Sequence, residues 1–130
     1  MTTKIPYTVA FITGAVLIFI GARFLLSPET AEAGYGIHFN EHGDYSFHYI
    51  KGIRDIFSGL LISVFVLLNE RRALGVTVIA GTMVPIADML IVISKSYNGV
   101  LQTIPHITAI IICFVTGIIL LTTKPTQKAL

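Results

Sequence analysis

Four long apolar runs, roughly residues 5–26, 49–68, 74–94 and 104–122, occupy most of this 130-residue chain. Each is close to the ~20 residues that an α-helix needs to cross a hydrocarbon layer about 30 Å thick. Charged residues make up 12% of the chain and hydrophobic residues 54%, whereas a soluble domain carries about 25% charge. Mean hydropathy is +0.81. The solvent expected for most of this surface is therefore lipid. The expected fold is all-α: an integral-membrane, four-helix antiparallel bundle with a long first extramembrane loop, forming one domain over 1–130.

The first run is followed by Ala31-Glu32-Ala33, which has the small-x-small look of a signal-peptide cleavage site. Its apolar stretch exceeds the 7–15 residues of a signal core, and Arg23 separates it from that site, so it reads as a true span. With four spans, both termini share a side with the Glu70-Arg71-Arg72 turn, and that side carries Lys4, Lys124 and Lys128. The opposite side carries Lys95 and an acidic first loop with Glu29, Glu32, Glu41 and Asp44. Short loops rich in Lys and Arg stay cytoplasmic, which places both termini inside. The net charge of +2 is spread along the chain with no basic patch, so nucleic acid is not an expected partner. The expected partners are the bilayer, a small molecule and a second copy in a homodimer. Cys113 is the only cysteine, which excludes an internal disulfide and makes it a packing residue.

The turns after the second and third spans are short, so sequential helices are expected to be antiparallel neighbours. The first loop, 27–48, is long for a compact bundle, and loops of that length carry function or local order. Ser27-Pro28-Glu29 reads as a cap, a first helical position and an acid in the first turn. Gly34 reads as a stop, so a short interfacial helix is expected over 28–33, with the rest of the loop covering the outer mouth as a lid. Thr103 reads as the cap of the fourth span, with Pro105 and His106 in its first turn.

Ionisable residues fall within these runs: Arg23, Lys51, Arg54, Asp55, Asp88 and His106. Charges at such positions mark a pathway, a binding site or a fixed ion pair. At 1.5 Å per residue, antiparallel spans bring all six to the outer half of the bundle. Lys51, Arg54, Asp55 and Ser58 follow the i, i+3, i+4, i+7 spacing of one helical stripe. Gly81, Pro85 and Asp88 share a face, and Pro85 is expected to kink the third span at Gly81. Gly59 and Ser63 offer a small-x-x-x-small contact for close helix packing. Asp88 is the first candidate, with Arg54 and then Arg23 as its expected partner, because an arginine can offer two parallel donors to one carboxylate. Asp55 is expected to pair with Lys51 one turn away, or with whichever arginine Asp88 leaves over. That tally leaves a cation over, which favours an anionic or electron-rich ligand.

Two weaker patterns accompany these. His38, Glu41, His42, Asp44 and His48 crowd the first loop, but Asn40 and Gly43 break the helix that would align them, so no metal site is expected. Tyr7, Tyr35, Tyr45, Tyr49 and Tyr97 lie near span ends, as interfacial aromatics do, and they call for no cofactor. A ring stacked on Tyr49 or Phe47 is the alternative.

The blocks Gly21-Ala22-Arg23-Phe24-Leu25-Leu26-Ser27-Pro28, Ala33-Gly34-Tyr35-Gly36, Lys51-Gly52-Ile53-Arg54-Asp55-Ile56 and Pro85-Ile86-Ala87-Asp88, with His106, resemble a family of small four-span bacterial membrane proteins of unknown function, broadly DoxX-like. The resemblance covers nearly the whole chain and implies a four-helix bundle in a bacterial inner membrane. Some members of the wider group are associated with quinone- or thiol-linked redox complexes. It implies no activity. Three functions are compatible with these residues. The first is a module that binds or moves a small amphipathic or anionic molecule at Arg23, Lys51, Arg54, Asp55, Asp88 and His106. The second is an enzyme for acid–base isomerisation, cyclisation or epoxide opening, with Asp88, Arg54 and Asp55 as its catalytic groups. The third is an accessory subunit of a redox complex.

Overall fold

The computed structural model describes residues 4–38 and 43–123, and all regular structure among them is helical. The helices are α1 (Lys4–Leu26), α2 (Pro28–Tyr35), α3 (Ser46–Leu67), α4 (Arg71–Gly81), α5 (Met83–Ile93) and α6 (Val100–Thr122). Three stretches, Lys4–Leu26, Arg71–Ile93 and Val100–Thr122, are long and apolar enough to cross a membrane. The α3 helix is 22 residues long but carries Lys51, Arg54 and Asp55.

The α1 helix packs most extensively on α3, and α6 packs on both α4 and α5. Glycines set the first of these contacts. Gly14 and Gly21 on α1 are seven residues apart, as are Gly52 and Gly59 on α3. A Cβ at Gly52 would stand 2.8 Å from the Gly21 carbonyl oxygen, and one at Gly14 would stand 2.9 Å from that of Gly59. Equal spacing on both helices fixes an antiparallel register at two levels, with the backbones nearly touching. Gly75 and Gly117 do the same for α4 and α6, with the Leu121 side chain 2.8 Å from a Cβ at Gly75.

The apolar core, Ala10, Ile62, Leu74, Val78 and Leu120, draws on α1, α3, α4 and α6 at the end of the molecule that holds the chain's first helical residues. Cys113 packs at its margin, as a small apolar residue does. At that end the Arg71 guanidinium donates to the Leu120 carbonyl at 2.6 Å, where α6 leaves its last carbonyls without helical partners.

The α4–α5 rod is interrupted where Pro85 withholds a hydrogen bond from the Gly81 carbonyl. Thr82 N–H bonds instead to Ile79 at 3.0 Å, and Ile86 N–H bonds to Thr82 at 3.2 Å. Thr82 keeps helical dihedrals, so the rod continues past its break.

Several boundaries differ from those expected. The second apolar run becomes helical at Ser46 rather than 49. The fourth starts at Val100 because the Gln102 side chain accepts from the Gly99 N–H at 2.9 Å. Thr103 is therefore no cap; its hydroxyl turns back to the Val100 carbonyl at 2.7 Å. Pro105 lies inside α6, and His106 lies in its second turn. The short helix expected over 28–33 passes through Gly34 and ends at Gly36, whose left-handed φ of 90° is the true stop. Gly36 is also confined, since a Cβ there would meet Gln102 at 3.2 Å and Val92 at 3.3 Å.

Candidate functional site

The α2 helix roofs the end of the molecule opposite the apolar core, and it is fastened to every long helical segment around it. Ser27 starts it without a side-chain cap bond. Glu29 in its first turn instead accepts from the Tyr45 hydroxyl, just before α3. Glu32 pairs with the buried His48 of α3 at 2.8 Å and stands 3.9 Å from His38. Beyond the helix, Asn98 donates to the Gly36 carbonyl at 2.7 Å and to Val92 at 2.9 Å. The His38 N–H donates to the Tyr97 hydroxyl at 3.1 Å. These bonds hold Ala31 and Tyr35, one helical turn apart, face down over the recess beneath.

Tyr35 is the centre of that recess. Its ring meets His106 of α6 edge-on, with centroids 4.9 Å apart, and the His106 Nε2 donates to the Tyr35 carbonyl at 3.3 Å. Phe24 of α1 meets the same ring edge-on at 6.1 Å. The Lys51 Nζ lies 4.7 Å from the Tyr35 ring centre and 5.0 Å from that of Phe24, within the range of cation–π attraction. The same Nζ is 2.7 Å from Asp55, a carboxylate buried one turn on. Asp88 of α5 is close enough to the Tyr35 hydroxyl to act on it electrostatically. Burial first, and Asp88 second, push that phenol well above the ordinary tyrosine range. It therefore stays protonated.

Of the six residues singled out from the sequence, Lys51, Asp55, Asp88 and His106 converge on this recess. Arg23 and Arg54 do not. Both are exposed, and among the described residues no ion pair joins either of them to Asp88. The expected Asp88–arginine pair is thus absent among the described residues, and Asp88 acts on the Tyr35 hydroxyl instead. Arg54 follows Gly52 by two residues on α3 and turns away from the recess. Its Nε comes no closer than 4.0 Å to Asp55. The expected Lys51–Asp55 pair is present. Ser58 bonds back to the Arg54 carbonyl at 2.8 Å. Of the first-loop histidines, His42 lies outside the described residues, as does Glu41.

By sequence Tyr35 reads as an interfacial aromatic and Glu32 as loop charge; in the fold both are parts of the roof. The signal for this was the i, i+4 pair Ala31 and Tyr35 closed by Gly36, the pattern of a short helix with one buried face.

A family model described as Domain of unknown function (DUF4267) matches residues 14–120. The chain belongs to this family. The match spans both glycine levels of α1 and α3 and every residue of the recess from Phe24 to His106. No curated protein and no solved structure matches this DUF4267 chain.

Proposed function

We propose that this DUF4267 protein is a multi-pass membrane protein whose outer recess binds a small amphipathic molecule beneath α2. In this reading α1, α3, α4–α5 and α6 cross the bilayer as a four-helix antiparallel bundle with both termini cytoplasmic. The DoxX-like resemblance belongs to the same reading. Support for the fourth span comes from the surface of α3. Ile53 and Phe57 are 60% and 63% exposed, and Ile50, Leu60 and Leu67 lie open beside them. Contiguous apolar surface on that scale is foreign to water-facing monomers.

The observation that carries the binding reading is the way Tyr35 fills the recess. A neutral ring with a protonated hydroxyl sits among a cation, an imidazole edge and a carboxylate, at the tip of a separate eight-residue helix. Tyr35 acts as an internal stand-in that an incoming molecule displaces. The charges define the class of that molecule. With Arg23 and Arg54 turned away, the recess holds Lys51 against Asp55 and Asp88, so the unspent group is a carboxylate. The head that fits is a hydrogen-bond donor, a hydroxyl or a protonated amine, rather than the anion favoured by the sequence tally.

Native mass spectrometry from mild detergent tests this. Wild type is expected to retain a small non-phospholipid mass. Asp88→Ala is expected to retain at least tenfold less, because a hydrogen bond to a charged group contributes about 1.5–3 kcal/mol. Tyr35→Ala, which removes the competitor, is expected to retain more. Wild type that carries no such mass, or equal retention in Asp88→Ala, contradicts the reading.

A further inference from the structure

We infer that α3 carries a second, separate site on its outward face: a seat for one anionic phospholipid, with the Arg54 guanidinium over the phosphate and an apolar groove along an acyl chain. The groove, about 560 Å³, is shallow and open, and it is lined by Tyr49, Ile50, Ile53, Arg54 and Phe57. These positions form one stripe of α3 at i, i+1, i+4, i+5 and i+8. Four of the five linings are apolar or aromatic, and the fifth is a permanent cation, so the surface itself is amphiphilic.

Among the described residues Arg54 has one counter-charge, Asp55, which it shares with Lys51 and meets only at the 4.0 Å limit of an ion pair. Asp55 is held by Lys51 at 2.7 Å, and the closest Arg54 approach to it is 4.0 Å. The Arg54 side chain is 52% exposed. Its neighbour Ser58 is engaged with the Arg54 carbonyl and leaves the guanidinium uncovered. An arginine on a membrane-facing surface extends its stem along apolar neighbours and carries its head to the headgroup level. There it finds phosphate oxygens, which it binds with two parallel charge-assisted hydrogen bonds.

Arg54 lies two residues inward of the Gly21–Gly52 contact and Arg23 lies two residues outward of it, so Arg54 is the deeper cation and has the longer reach to the headgroups. A side chain on a helix leans toward the helix start, which on α3 is the outer end where Tyr49 and Ile50 line the groove, while Phe57 carries the groove one turn inward of Arg54. A headgroup above and a chain below is the order of a phospholipid.

A second copy of the chain fits this face less well. A two-fold contact centred on the groove brings Arg54 toward its own symmetry mate, and two like charges then oppose each other away from water. Free phosphate uses Arg54 but leaves the four apolar linings uncovered. The phospholipid satisfies both parts. This site does not depend on the recess reading, because Arg54 and the recess residues act on different ligands.

The test uses the full chain in mild detergent, titrated with phosphatidylglycerol or phosphatidylcholine of identical acyl chains and read by native mass spectrometry. Wild type is expected to hold phosphatidylglycerol at least tenfold more tightly than phosphatidylcholine. Arg54→Gln is expected to erase that preference, and Arg54→Lys to keep part of it. Ile53→Ser is expected to weaken long-chain phosphatidylglycerol while sparing a short-chain form. Millimolar inorganic phosphate is expected not to displace the lipid, and Asp88→Ala is expected to bind it as wild type does. An unchanged preference in Arg54→Gln overturns the proposal. So does displacement by inorganic phosphate, or a dimer in which this face is occluded. Circular dichroism confirms that each variant keeps its helices; should Arg54→Gln lose them, Arg54→Lys and Ile53→Ser carry the decision, and wild-type behaviour in both overturns the proposal.

Discussion

Gly59→Leu is expected to lower the midpoint of thermal unfolding in mild detergent by roughly 10 °C, or to prevent recovery of folded protein. The argument rests on what a side chain at this position meets. A Cβ at Gly59 collides with the Gly14 carbonyl and reaches the Ile18 side chain. A carbonyl of a packed helix cannot swing aside as a side chain does, so α1 and α3 must separate along the contact that carries most of their packing. Overpacking of a tight core costs about 1–3 kcal/mol where side chains can adjust. A backbone obstacle places this substitution at the upper end, and ~3 kcal/mol moves the midpoint by roughly 10 °C in a chain of this size. Gly21→Leu meets the Gly52 carbonyl and Ile56 and is expected to behave alike. Gly34→Ala is the control, since a Cβ there meets nothing within 4 Å. It is expected to stabilise α2 slightly, by up to about 1 kcal/mol, because alanine loses less backbone freedom than glycine in a helix. Differential scanning fluorimetry with a thiol-independent dye reads all three variants. A Gly59→Leu midpoint equal to that of wild type refutes the glycine register.

Lys51→Met is expected to destabilise the protein by about 3–5 kcal/mol, because it strands Asp55 as a buried charge without its partner. Asp55 is 5% exposed, and its nearest remaining cation, Arg54, stands at 4.0 Å. Methionine keeps the length and volume of the lysine stem, so the loss reports the charge rather than a cavity. Asp55→Leu is expected to do similar damage, for among the described residues it leaves the ammonium with the Phe24 and Tyr35 rings alone. The double variant Lys51→Met/Asp55→Leu removes both charges and is expected to recover to within about 1 kcal/mol of wild type, since replacing a buried pair by packed apolar groups is often neutral. A double-mutant cycle measured by chemical unfolding in detergent checks this. Additive losses, with the double variant worse than either single, mean that the two groups do not act as a pair.

The sequence carried the helical rods because their cause is local: long apolar runs punctuated by Asn98-Gly99 and Glu70-Arg71-Arg72. It carried the Lys51–Asp55 pair for the same reason, as i, i+4 partners on one helix. Antiparallel arithmetic placed Asp55, Asp88 and His106 at one end of the molecule, and they are together there. The same arithmetic failed for the arginines because it gives depth and leaves direction around the helix open. Arg54 and Asp55 are adjacent in sequence, and adjacent helical residues do not face one way. One enters the recess and the other leaves it. The partner of Asp88 was illegible for a different reason. It lies on α2, which reaches α5 only by way of the Gly36 turn and the Asn98 bonds, and no periodicity predicts a contact made by a loop. The glycines were half legible. Gly59 and Ser63 read as a small-residue contact, but the matching seven-residue spacings on α1 and α3 acquire meaning only when the two helices are laid side by side.

The account turns on Tyr35 standing beneath α2 against Asp88, Lys51 and His106. The chain contains no tryptophan, so Tyr35→Trp makes position 35 the sole indole reporter. Iodide quenching of its emission in detergent reads the position directly. Blue-shifted emission shielded from iodide, becoming accessible when Asp88→Ala is added, is the predicted result. Emission and quenching equal to those of a free indole in water would contradict the placement of α2, and the recess with it.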